Sequence, residues 1–79
     1  MALSDLPLAS GLEHARCFQK GFNWTVRRKA NHIILTNPQR ANVTLSIPNH
    51  REVKRALLHT QITKAGLTDE QYRTAFDSI

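Results

Sequence analysis

The apolar positions of the chain repeat first with a helical period, then with a period of two, and then with a helical period again. Leu12, Ala15, Cys17 and Phe18 share one side of a helix predicted from Ser10 to Lys20, while Glu13, Arg16 and Gln19 lie elsewhere on its surface. Gly21 fits the position just past its end, where a left-handed backbone is common. From Phe22 the pattern changes, and Phe22, Trp24 and Val26 alternate with Asn23, Thr25 and Arg27, as on a strand with one buried face. A reversal over Lys29 to Asn31 leads to a second strand, His32 to Thr36, built around Ile33, Ile34 and Leu35. Asn37, Pro38, Gln39 and Arg40 form a turn, for which Pro38 supplies a fixed φ. Val43, Leu45 and Ile47 then alternate strictly with Asn42, Thr44 and Ser46 in a third strand, Asn42 to Ile47, which Pro48 ends.

Helical spacing returns after Pro48. Asn49 is read as the cap of a helix from His50 to Ala65, with Leu57, Leu58, Ile62 and Ala65 as its apolar stripe and Gly66 following it. Thr68 and Gln71 have the spacing of a capping box and open a short last helix able to bury Tyr72 and Phe76. A chain of 79 residues has room for one core, so residues 1–79 are read as a single α+β domain. Its order is α-β-β-β-α plus a short C-terminal helix, and the helices must cover one face of a three-stranded antiparallel sheet.

The other face of that sheet is then free. With Trp24, Val26, Val43, Leu45 and Ile47 inward, Thr25, Arg27 and Lys29 point outward beside Thr44 and Ser46. In the middle strand, inward Ile33 and Leu35 send His32, Ile34 and Thr36 outward, whereas a slip of one residue reverses this. The outward His32 is preferred, because it places an imidazole among hydroxyls and cations.

Charge sharpens the picture. Eleven Lys and Arg stand against six Asp and Glu, a net charge of +5 that attracts polyanions, with nucleic acid the first partner to consider and acidic proteins the next. Cys17 is the only cysteine, which rules out an internal disulfide and suits a cytoplasmic protein. Met1 to Leu12 lacks the basic start of a secretory leader, and no apolar run approaches the ~20 residues of a membrane-spanning helix, so no membrane partner is expected.

The chemistry is correspondingly sparse. No Walker loop, GxSxG, HExxH or dinucleotide fingerprint is present. His14 and Cys17 lie one helical turn apart, and His50 and His59 stand elsewhere, a pattern too loose for zinc, so no metal or other cofactor is expected. His32 can exchange a proton near neutral pH, and Arg27 and Lys29 beside it can neutralise charge developing on phosphorus. The competing reading of His32 is a strand residue with a structural hydrogen bond. Arg51, Lys54 and Arg55 fall in the first turns of the predicted second helix, whose backbone N–H groups also favour anions; a solvated basic face is the alternative there.

Three stretches in order carry a family likeness: Leu6-Pro7 and Gly21-Phe22 framing the first helix, Lys29-Ala30-Asn31-His32 at the second strand, and Ile47-Pro48-Asn49-His50 leading into Glu52-Val53-Lys54 and Lys64-Ala65-Gly66-Leu67. Together they resemble the HicA (YcfA-like) toxin family of type II toxin-antitoxin systems over nearly the whole chain. The resemblance implies a fold like the double-stranded-RNA-binding domain, metal-independent cleavage of mRNA, His32 as the catalytic histidine and neutralisation by a HicB-type antitoxin. The chain departs from the family pattern at the residues before the histidine, where a glycine and a small hydroxyl residue are replaced by Ala30 and Asn31. Asn31 is then expected to supply the positive φ of the turn. The family's Lys-Pro-Gly-Thr at the second helix reads Lys54-Arg55-Ala56-Leu57, and Gly21 to His32 is one residue longer than usual. A non-catalytic module that holds RNA, DNA or an acidic protein is the rival reading. His50 is a candidate for a second proton-transfer role, and which atom attacks phosphorus stays open.

Overall fold

A computed structural model describes residues 5–79; the opening residues of the leader reading, 1–4, lie outside the described part. The protein has the α+β architecture read from the sequence. Its elements are α1 (Gly11–Phe22), β1 (Thr25–Lys29), β2 (His32–Thr36), a 3₁₀ turn (Pro38–Arg40), β3 (Thr44–Pro48), α2 (Arg55–Lys64) and α3 (Asp69–Ser78). The three strands form one antiparallel sheet in the order β1-β2-β3.

Helix α1 starts where Ser10 and Glu13 cap each other: Ser10 Oγ accepts from the Glu13 N–H at 3.1 Å, and Glu13 Oε1 accepts from the Ser10 N–H at 3.2 Å. Gly11 follows because nothing larger fits. Its N–H donates to the His50 carbonyl at 2.9 Å, and a Cβ there would lie 2.2 Å from the Pro48 carbonyl oxygen. The far end corrects the expectation for Gly21, which lies inside the helix. Asn23 takes the left-handed conformation instead, at φ 63°, a position that asparagine tolerates better than most residues. Gly21 serves a close approach of helices, since a Cβ on it would meet Ala75 Cβ of α3 at 3.1 Å.

The helices cover the face of the sheet that carries Ile33, Leu35, Leu45 and Ile47, all fully buried. Helix α1 packs over all three strands, α2 lies beside β3, and α3 rests on α1 and α2. Phe18, Trp24, Leu58, Ile62 and Tyr72 complete the core, and full burial of each large apolar side chain contributes on the order of 1.5–3 kcal/mol. Trp24 is buried as expected but precedes the ladder of β1, and Phe22 is the last residue of α1. Helix α3 opens with the expected capping box, Gln71 N–H to Thr68 Oγ1 at 3.1 Å and Thr68 N–H to Gln71 Oε1 at 2.9 Å.

The two sheet edges are treated differently. On β3, the Ser46 N–H donates to Gln61 Oε1 of α2 at 2.9 Å, so the helix occupies that edge. On β1 the edge carries Arg27, Arg28 and Lys29, all exposed, and an irregularity in the ladder, both features that discourage pairing with a foreign strand.

The second helix begins later than expected. It starts at Arg55, with Lys54 at its cap position and no side-chain cap, so Asn49 is not its cap and Arg51 lies outside it. The reason is that Asn49 is engaged elsewhere. Its N–H donates to the Asn31 carbonyl at 3.0 Å and its Nδ2 to the Ala30 carbonyl at 2.9 Å. The segment that follows runs back along the start of the chain, where the Val53 N–H donates to the Ala9 carbonyl at 2.9 Å and Arg55 Nε to the Leu6 carbonyl at 2.8 Å. Among the described residues no helix is long and apolar enough to cross a membrane.

Candidate active site on the open sheet face

The outer face of the sheet follows from its register. His32 pairs with Pro48, Ile34 with Ser46 and Thr36 with Thr44, while their neighbours Ile33 and Leu35 are buried on the helix side. His32 is therefore exposed on the open face, as preferred above, at the end of β2 next to the hairpin.

Strand β1 breaks its alternation. Val26 pairs with Leu35 and Arg28 with Ile34, so two steps on β1 match one on β2, and Arg27 is the extra residue of a β-bulge. Residues directly opposite one another in an antiparallel pair share a face. Arg28 thus joins Ile34 and His32 on the open side. Lys29, expected there, pairs with the inward Ile33 and belongs to the other face, although its side chain at the sheet end is exposed. This corrects the position of Lys29. A strictly alternating strand would have placed it as expected; the bulge moves every residue beyond Arg27 to the opposite face.

Arg28, Ala30, Asn31, His32 and Ile34 line a shallow hollow of about 220 Å³. Its floor is the hairpin, which is built without the expected positive φ at Asn31. Among the described non-glycine residues that conformation occurs only at Asn23. The turn is held instead by the Ala30 N–H to the His32 carbonyl at 3.2 Å and by the two Asn49 hydrogen bonds. Asn49 fixes the reversal that carries His32, a role that its residue type alone does not distinguish from helix capping.

The charge on this face is one-sided. The six acidic residues are Asp5, Glu13, Glu52, Asp69, Glu70 and Asp77, and none lies in the sheet or its turns. Arg51 and Lys54 are exposed in the connection from β3 to α2, which leaves the sheet beside the hairpin; Arg55, with its Nε on the Leu6 carbonyl, serves the fold.

The remaining histidines divide by environment. His59 Nδ1 contacts both carboxylate oxygens of Asp69, at 2.8 and 2.9 Å, and ties α2 to α3. His14 is fully buried, with Nδ1 hydrogen-bonded to the Tyr72 hydroxyl at 2.7 Å and Nε2 without a partner. Desolvation lowers its pKa to about 4 against a weaker opposing pull from Glu13, so the ring is neutral at pH 7. Desolvation also raises the Cys17 thiol to about 11, against a hydrogen bond with Tyr72 that acts the other way, and raises the Tyr72 hydroxyl. Cys17 is a packed thiol with no nucleophilic character. Among the described residues no group of three or more His, Cys, Asp or Glu side chains could hold a metal ion. The rings of His32 and His50 hold no hydrogen bond to a described residue; His14 and His59 are the histidines whose rings do.

Compared with protein-family models, with curated proteins and with solved structures, the chain matches none.

Proposed function

We propose that the chain is a metal-independent endoribonuclease that cleaves mRNA in the cytoplasm as a HicA-like toxin and is restrained by a HicB-type antitoxin. The observation that carries this reading is the hollow in which His32 stands beside Arg28 on an open, acid-free sheet face. An imidazole there is free to serve as general base or acid, and a guanidinium beside it matches the oxygens of a phosphodiester. RNA is the substrate if its 2′-hydroxyl attacks phosphorus. Arg27 holds the RNA on the same face, and Lys29, Arg51 and Lys54 add to the positive field around it. The antitoxin would present an acidic surface to the face around His32. The test is cleavage of mRNA by the purified chain in chelator: loss in His32→Ala and His32→Gln with unchanged unfolding supports the reading, and cleavage by His32→Ala at the wild-type rate ends it.

A second reading, a non-catalytic module that holds RNA on the same face, has one observation in its favour. His32 is the only histidine, carboxylate or cysteine side chain lining its hollow, so no second proton-transfer group stands beside it. RNA binding without cleavage in the same assay selects this reading.

A further inference from the structure

Adjacent residues of a regular strand point to opposite faces. The bulge in β1 instead leaves Arg27 and Arg28 on the same face but in different places. Arg28 shares the hollow of His32. Arg27 lines a second hollow of about 300 Å³ together with Thr25, Thr36, Asn37 and Pro38.

The second hollow is built and polar. Thr25 pairs with Thr36 and Thr36 with Thr44, so three hydroxyl side chains form a row across all three strands. Asn37 closes one side and is itself fixed, with Nδ2 donating to the Phe22 carbonyl at 3.1 Å and Oδ1 accepting from the Gln39 N–H at 3.0 Å. Neither hollow has an acidic lining residue. From His32 to Thr36 is four steps along β2, about 13 Å at ~3.3 Å per residue. One phosphate cannot touch both ends of that span, but a short run of RNA backbone can.

We propose that Arg27, Thr25 and Thr36 form a second phosphate subsite, which takes a neighbouring, non-reacting phosphodiester of the RNA whose reacting phosphodiester lies at Arg28 and His32. The proposal rests on the RNA reading above. The guanidinium of Arg27 offers a planar fork of donors to the phosphate oxygens, and the two threonine hydroxyls donate beside it. The bulge sets the spacing of the two arginines, and with it the length of RNA that the face grips.

The test uses fluorescently labelled 2′-O-methyl oligoribonucleotides, which a 2′-hydroxyl attack cannot cleave, lengthened one nucleotide at a time and titrated with the full chain. Affinity is expected to rise in a step of about tenfold at the length that first reaches both hollows, the gain of one charge-assisted contact. Arg27→Gln should remove the step and Arg27→Lys should keep part of it. Arg28→Gln should weaken binding at every length and keep the step. Unfolding curves for each variant confirm that the fold is intact. A smooth rise with length, or an equal loss from Arg27→Gln at every length, overturns the subsite. So does Arg27-dependent binding of polyglutamate as tight as that of RNA, which assigns the face to an acidic protein. Unmodified RNA of the same lengths separates the two proposals: a step without cleavage supports the subsite and overturns the ribonuclease reading, whereas cleavage without a step overturns the subsite alone.

Discussion

His14 and His32 carry the same side chain into opposite surroundings. His14 is enclosed between α1 and α3, hydrogen-bonded through Nδ1 to Tyr72 and packed against Phe76 at a ring separation of 5.5 Å. His32 stands exposed on the open sheet face at the end of the central strand, beside Arg28 and Asn31. The first environment removes proton exchange near neutral pH and keeps the shape of the ring; the second leaves the ring open to solvent and to any ligand of the sheet face. A histidine buried between helices and one exposed on the sheet should respond differently to substitution and to acid.

The largest effect is expected at the open face. His32→Ala should lower RNA cleavage by ~10² to 10⁴, the usual contribution of a positioned proton-transfer group, with an unchanged melting temperature. A parallel loss of stability and activity would move His32 to the structural side and dissolve the contrast.

Acid should act on the buried histidine. The folded-state pKa of His14 is depressed to about 4 from 6.5, so the neutral ring favours the folded state. For a histidine with a lowered pKa the unfolded chain takes up the proton first as pH falls, so the contribution is intact above pH 6.5 and is lost between 6.5 and about 4. The total is on the order of 3 kcal/mol. Thermal unfolding followed from pH 7 to pH 4 should show this loss in wild type and a much flatter profile in His14→Gln. Equal profiles would place the acid-sensitive group elsewhere.

Truncation of the same ring comes next. His14→Ala removes the 2.7 Å ring partner of the buried Tyr72 hydroxyl, which keeps its contacts with Cys17 and the His14 carbonyl, and should cost about 1–3 kcal/mol, measured by denaturant unfolding, while cleavage per folded molecule persists. The smallest change is expected from Asn49→Ala, which removes the Nδ2 contact to the hairpin carbonyl of Ala30 and should cost about 1 kcal/mol or less. Its readout is the hairpin itself: faster amide exchange around Ala30 to His32 and a fall in kcat larger than any change in KM. Wild-type exchange would show that the turn holds without Asn49.

Much of this division is legible in the sequence. The alternation of Ile33 and Leu35 with His32 and Ile34 set the faces of β2, and the strict pattern from Thr44 to Ile47 set those of β3, because burial of one face fixes register. Thr68 and Gln71 announced α3 by spacing alone. The site was harder to read on β1. Arg27, Arg28 and Lys29 are polar in either register, so no apolar residue marks where alternation fails, and the bulge that brings Arg28 to His32 leaves no trace in the pattern. The run of three cations was the one available hint. Asn49 misled for a related reason, since asparagine suits a helix cap and a turn brace equally. His14 and Tyr72 are separated by most of the chain, and only the packing of α1 on α3 brings them together.

The unequal edges of the sheet bear on how copies of the chain can associate. A fibril grown by strand addition needs two receptive borders on every subunit, one to join and one to be joined. Here Gln61 of α2 engages the border of β3 at Ser46, and the border of β1 carries three exposed cations and a bulge. A joining strand thus meets an obstacle at either border, and association by strand addition is disfavoured from both sides.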